Sequence, residues 1–116
     1  MVRAMLEQTL VAFGYRVTVA ETCDQAAALL AGELRPDILL SDIRMPGRLN
    51  GLDLARAARL QRASIAVVLQ TGFTDVDTGD FLVLHKPFEP DTLLDALEAA
   101  LAERAAHVGS DSASGQ

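Results

Sequence analysis

Two short stretches limit the fold more than anything else in the chain. DILLSD (Asp37–Asp42) and IAVVLQT (Ile65–Thr71) are apolar almost from end to end and stop abruptly, one between Pro36 and Pro46, the other at Gly72. Apolar runs of this length, without alternation, fit strands buried on both faces, and such strands need a layer of helices on each side. The flanking sequence has that character. Met5, Leu6, Leu10 and Phe13 recur at helical spacing in Met1–Phe13, and Gly14 is a natural stop. TCDQAAALLAGE (Thr22–Glu33) reads as a second helix, capped by Thr22 or Asp24 with Gly32 near its end. Asn50 can cap a third helix over Leu52–Gln61. After Pro87 and Pro90 a long amphipathic segment places Leu93, Leu94, Leu97 and Leu101 on one stripe. Tyr15–Ala20 alternates and is β-branched, and Phe81–Lys86 is short and apolar, so both read as strands. GFTDVDTGD (Gly72–Asp80) is polar and glycine-marked, a loop with at most one helical turn. The order α-β-α-β-α-β-loop-β-α implies right-handed crossovers and a parallel sheet.

Composition narrows the function classes. With 116 residues, half of them hydrophobic and 22% charged, the chain suits one globular domain, placed at residues 1–106. The small polar end GSDSASGQ makes residues 107–116 a disordered tail. A net charge of −6 without a basic cluster argues against nucleic acid and anionic membrane as partners. The lone cysteine, Cys23, excludes an internal disulfide or a Cys metal cluster and reads as a small helix residue. No apolar run approaches the ~18 residues of a membrane span, and Arg3 and Glu7 interrupt the start as a signal peptide, so a cytoplasmic protein is expected. Neither G-x-x-x-x-G-K nor G-x-G-x-x-G occurs, which leaves nucleotide binding without support. DVDTGD (Asp75–Asp80) departs from a calcium loop, with Gly79 and Asp80 in the wrong order and Lys86 where the bidentate Glu belongs, so a solvated acidic loop is expected.

In a parallel α/β sheet, sites form beyond the carboxyl ends of the strands. Asp42, Thr71 and Lys86 lie at or just past three such ends. An acid, a hydroxyl and an ammonium on one edge suit phosphoryl transfer, which needs positioning and charge neutralisation more than a base.

The stretches LLSDIRMPGRLNGLDL, VVLQTGF and LHKPFEPDTLLDAL, in that order and spacing, resemble the receiver domains of bacterial two-component response regulators over nearly the whole chain. The resemblance implies a flavodoxin-like, doubly wound parallel sheet of strand order 2-1-3-4-5. It implies Asp42 as phosphoacceptor, Thr71 as hydrogen-bond donor to the phosphoryl group and Lys86 as its charge partner, with a cis Lys86–Pro87 peptide. It implies Mg²⁺ held by Asp42 and the backbone carbonyl of Arg44. The expected partner is a histidine kinase or phosphotransfer domain, and the expected role is phosphorelay signalling, not turnover. The ending VLHKPF looks like receivers attached to hybrid histidine kinases.

The sequence also departs from that family. MVRAMLEQTL resembles the family's first helix, so the first, central strand and the acidic pair at its end do not appear, as in an N-terminally truncated chain with a displaced start. Glu7 lies inside a helix and Glu21 follows the next strand, so neither replaces the pair. Arg16–Ala20 and Asp37–Asp42 then pair directly, accept a strand from another chain, or leave the sheet loosened; homodimerisation by strand exchange is one outcome. Mg²⁺ favours near-octahedral oxygen ligands, and Asp42 alone is a meagre set, so phosphorylation is expected to be impaired. The short spacing from Thr71 to Lys86 leaves the fourth helix short or absent. Val83 stands three residues before Lys86, where many receivers have a switch aromatic. Because the last helix is followed only by the polar end, no DNA-binding output domain is expected.

Two other readings compete. A pseudo-receiver would act as a protein-interaction module without phosphorylation. An Asp-nucleophile phosphohydrolase of the haloacid-dehalogenase type would need a second Asp two residues after Asp42, where Arg44 stands. His85 reads as an edge-strand side chain and His107 as a tail residue, and neither is assigned a role.

Overall fold

The computed structural model describes residues 3–44, 49–62, 64–72, 79 and 81–114. In chain order these form α1 (Arg3–Ala12), α2 (Cys23–Ala31), β1 (Ile38–Asp42), α3 (Gly51–Gln61), β2 (Ala66–Thr71), β3 (Leu82–His85) and α4 (Pro90–Ser114). The strands lie in the order β1-β2-β3, all parallel, with Leu40 opposite Val68 and Val68 opposite Leu82. This is the flavodoxin-like α/β layout with three strands and four helices among the described residues.

Strand alternation sorts the apolar side chains into two layers. Ile38, Leu40, Ala66, Val68, Leu82 and Leu84 face a core completed by Leu10 of α1 and by Leu93, Leu97 and Ala100 of α4. Leu39, Val67, Leu69 and Val83 face the other way, onto Ala55 and Ala58 of α3. All six residues of β2 are buried, as its apolar run requires. Each large aliphatic side chain buried there is worth roughly 1.5–3 kcal/mol relative to exposure.

The helix starts follow local chemistry. Thr22 Oγ1 accepts from the Gln25 amide at 3.0 Å, and Gln25 Oε1 accepts from the Glu21 amide at 2.7 Å. Asn50 Oδ1 accepts from the Asp53 amide at 2.8 Å while Asp53 reaches back to the Asn50 amide, a reciprocal capping box. Thr22, not Asp24, is therefore the cap of α2. Gly14 ends α1 at φ +93°, a conformation open to glycine at little cost.

Three expectations need correction. Tyr15–Ala20 is not a strand: it has no regular secondary structure, and among the described residues no backbone hydrogen bond joins it to Ile38–Asp42. A strand is defined by its ladder, and β-branched alternation without a neighbour does not make one. Tyr15 and Val17 still pack on the α4-side core. For the same reason β1, though it packs on both layers, is not fully buried; Ile38, Leu39 and Leu40 are half-buried because, among the described residues, one edge of the strand has no neighbour. On α1 the buried stripe is Leu6 and Leu10, whereas Met5 and Phe13 are 55% and 65% exposed.

Helix α4 runs to Ser114, into the stretch read from sequence as a polar tail beginning at residue 107. Propagating a helix that packing has already nucleated costs little per residue, even through weak helix formers. Its inward stripe is as expected, with Leu93 and Leu97 buried and Leu94 and Leu101 partly so. The expected loop and the short or absent fourth helix fall mostly on residues 73–78 and 80, outside the described residues.

Candidate functional site

The site is built by three strand ends in register. Asp42 is the last residue of β1 and lies opposite Gln70; Thr71 is the last of β2 and lies opposite His85. The ladder continues one step beyond each strand. The Ile43 amide donates to Gln70 O at 2.9 Å, and the Lys86 amide donates to Thr71 O at 2.8 Å. These bonds fix the backbone on both sides of Asp42 and of Lys86. The two residues are two strand spacings apart, about 10 Å, and the long lysine stem spans that gap. Lys86 Nζ forms an ion pair with Asp42 Oδ1. Thr71, 4% exposed, ends the strand that lies between them. The structure therefore brings together the acid, the hydroxyl-bearing residue and the ammonium that the sequence singled out.

The electrostatic setting is intermediate. The side chains of Lys86 and Asp42 are 44% and 33% exposed, yet Asp42 Oδ1 itself is shielded from solvent. Ser41, buried beside it, donates from Oγ to Asp42 O at 2.9 Å. Behind this turn lies Cys23, only 1% exposed. Burial pushes its thiol pKa up; a hydrogen bond with Ser41 opposes this, and the nearby carboxylates of Asp24, Asp53 and Asp42 add to it. The lone cysteine is thus a protonated side chain packed under the site, as a small helix residue should be.

The Lys86–Pro87 peptide is cis. Val83 is half-buried against the α3-side core. The aromatic on that face is Phe81, two residues earlier, under the Arg59 guanidinium at 5.2 Å from the ring centre. Arg59 is held there by an Nε bond to Ile65 O at 2.9 Å.

A magnesium ion finds little to hold it. Asp42 supplies one carboxylate, already engaged by Lys86, and the exposed Arg44 can offer only its carbonyl. Among the described residues no three His, Cys, Asp or Glu side chains are grouped to hold a metal, and Glu7 and Glu21 are exposed. These residues do not make up the octahedral oxygen set that Mg²⁺ favours.

One residue at the site was not singled out from sequence. Gly51, the first residue of α3, packs directly on the backbone of Asp42 and Ile43. Its only signal is a glycine just after a helix cap, a place where almost any residue is tolerated. Met45, Pro46 and Gly47, which carry part of the family motif, lie outside the described residues. No helix among the described residues is long and apolar enough to cross a membrane.

Comparison with known proteins identifies the family of the fold. The sequence model of the response regulator receiver domain matches residues 1–98. The DNA-binding transcriptional regulator NtrC of Salmonella typhimurium is 35% identical over 107 residues, covering 86% of this chain and 22% of that protein. The C4-dicarboxylate transport transcriptional regulatory protein DctD of Pseudomonas aeruginosa is 38% identical over 111 residues, covering 88% of this chain and 23% of that protein. The chain thus spans less than a quarter of the length of these relatives. Among solved structures, a response regulator receiver protein from Sinorhizobium medicae superposes with a TM-score of 0.80 at 26% identity, covering 87% of this chain and 86% of that one. The receiver domain of NtrX from Brucella abortus gives 0.76 at 28% identity, covering 86% and 89%. The chain belongs to the response regulator receiver domain family of two-component signalling systems.

Proposed function

We propose that this chain takes a phosphoryl group from the phosphohistidine of a histidine kinase or phosphotransfer domain onto Asp42. The observation that carries the reading is the Asp42–Lys86 ion pair, which crosses from β1 to β3 with Thr71 ending the strand between them. A carboxylate oxygen of Asp42 attacks phosphorus, the P–N bond to the donor imidazole breaks, and an acyl phosphate forms. Lys86 moves from the carboxylate to a phosphoryl oxygen and offsets the added negative charge. Thr71 turns its hydroxyl to donate to a second phosphoryl oxygen, and that rotation is the switch. Receivers generally use Mg²⁺ here, but the residues described do not fit it, so the chain's own groups carry the transfer and it is slow.

In this reading the chain is a cytoplasmic signalling unit over residues 1–106, with residues 107–116 outside it, and not a turnover enzyme. The test is labelling by acetyl phosphate or a phosphohistidine donor, with and without Mg²⁺. Weak label that disappears in Asp42→Asn supports the proposal. Absence of label from every donor, at any Mg²⁺ concentration, refutes it.

A second reading rests on the edge of β1. Ile38–Asp42 pairs with β2 on one side and, among the described residues, with no strand on the other. An open parallel edge favours a pseudo-receiver that associates through strand addition, including exchange between two copies. Native mass across a concentration series separates this reading from the first: a dimer insensitive to beryllofluoride supports it, and a monomer that responds to beryllofluoride overturns it.

A further inference from the structure

Gly51 touches the backbone of the proposed phosphoacceptor. A methyl group built on Gly51 would stand 1.8 Å from the carbonyl oxygen of Asp42, 2.7 Å from its carbonyl carbon and 2.9 Å from the Cα of Ile43. All three are backbone atoms, so no rotamer change relieves the overlap. Ordinary contact begins at 3.4 Å, so a single methyl forces α3 and the end of β1 apart by about 1.6 Å (3.4 − 1.8). The φ of Gly51 is not in the left-handed region. Close approach, not backbone conformation, is therefore what calls for glycine here.

The contact belongs to a short chain of bonds. The Gly51 amide donates to Ile43 O at 2.8 Å, and the Ile43 amide donates to Gln70 O at 2.9 Å. The turn that follows Asp42 is thereby held from one side by the start of α3 and from the other by β2. The Asn50–Asp53 capping box lies beside this contact and takes no part in it: its two bonds join Asn50 and Asp53 to each other.

We infer that Gly51 is a positioning residue for Asp42, setting the carboxylate where Lys86 and the incoming phosphorus both reach it. Its effect on labelling rests on the phosphoacceptor reading; its effect on the Asp42 backbone does not. A displacement of 1 Å in a reacting group can cost on the order of 10²-fold in rate. Gly51→Ala is accordingly expected to lower acetyl-phosphate labelling by about that factor while the chain stays folded.

Asn50→Ala serves as the control, because it removes the cap but leaves the Gly51–Asp42 contact. Three quantities are read for both variants: the urea midpoint, the labelling rate, and the NMR signals of the Ile43 amide and the Asp42 carboxyl carbon. The proposal is supported if Gly51→Ala shifts both NMR signals and loses labelling, while Asn50→Ala lowers the midpoint yet keeps labelling within about twofold. It is overturned if the Asp42 carbon stays put in Gly51→Ala, or if Asn50→Ala loses as much labelling as Gly51→Ala. Global unfolding of Gly51→Ala overturns it too, since the contact would then serve the whole fold and not Asp42. If the wild type takes no label, the phosphoacceptor reading fails alone, and the NMR signals still decide whether Gly51 places Asp42.

Discussion

Replacing Lys86 by Met tests whether the Asp42–Lys86 pair exists for chemistry or for stability. The substitution keeps most of the aliphatic stem and removes the charge. Two unit charges at 4 Å are worth about 1 kcal/mol at the dielectric of water and about 4 kcal/mol at an effective value of 20. Side-chain exposures of 44% and 33% put the pair nearer the first limit, and ordering a lysine offsets part of the gain. The shielding of Asp42 Oδ1 pulls the other way, since that oxygen loses its partner. The expected cost is therefore about 1 kcal/mol. With a urea m-value of ~1–3 kcal/mol/M, the midpoint falls by less than about 1 M. In 1 M salt, where the Debye length is ~3 Å, the difference between variant and wild type shrinks. Labelling at Asp42, in contrast, drops severely, because Lys86 is the ammonium paired with Asp42 and the phosphoryl group brings more negative charge than the carboxylate alone. A loss above ~3 kcal/mol that salt does not reduce would refute this reasoning and make the pair a structural element. Unchanged labelling in Lys86→Met would remove Lys86 from the transfer step.

Two further outcomes follow from burial. The raised pKa of Cys23 fixes a sign: the folded state holds the thiol proton longer than the unfolded chain. The corresponding stability is fully present below the unfolded value of ~8.5 and is lost as pH rises through the higher folded value. Urea midpoints at pH 7.5 and 10 should therefore fall more steeply for the wild type than for Cys23→Ala, and equal slopes would show that the thiol does not titrate differently on folding. Leu93→Ala, at a side chain fully buried between α4 and the sheet, should cost about 2.7–5 kcal/mol in the same assay, whereas Leu60→Ala, 88% exposed on α3, should stay within ~0.5 kcal/mol.

The site was legible in the sequence because it depends on where strands end. β2 is buried along its whole length, as its apolar run requires, which puts Thr71 at its carboxyl end, and Lys86 follows the end of β3 in the same way. Gly51 was not legible, because its role comes from an approach between the start of α3 and the turn after β1, and no periodicity encodes a distance between segments. The identity of the aromatic on the α3 face was hidden for a related reason. Counting back from Lys86 finds Val83, but strand alternation puts Phe81 on the same face, and Arg59 reaches it from a different helix.

Tyr15–Ala20 marks the boundary between what a segment carries and what its neighbours supply. The segment has the composition of a strand, and the structure keeps half of what that composition specifies: Tyr15 and Val17 turn inward onto the α4-side core, while Arg16, Thr18 and Val19 remain exposed. What it lacks is a ladder, since paired amides belong to two segments at once. The open edge of β1 is the other half of the same fact, and it explains why Ile38–Leu40, as apolar as β2, is only half-buried. Side-chain sorting in this sheet therefore follows from local pattern, whereas burial depth follows from the number of neighbours. Asp42 sits where the two meet. Its direction is set by its own strand and by Gly51, and it ends a strand whose other edge, among the described residues, has no paired neighbour. An added strand that pairs with β1 should accordingly slow amide exchange at Ile38–Asp42 and leave β2 unchanged. Equal slowing in β2 would show instead that the whole sheet tightens and that its edge is not the weak point.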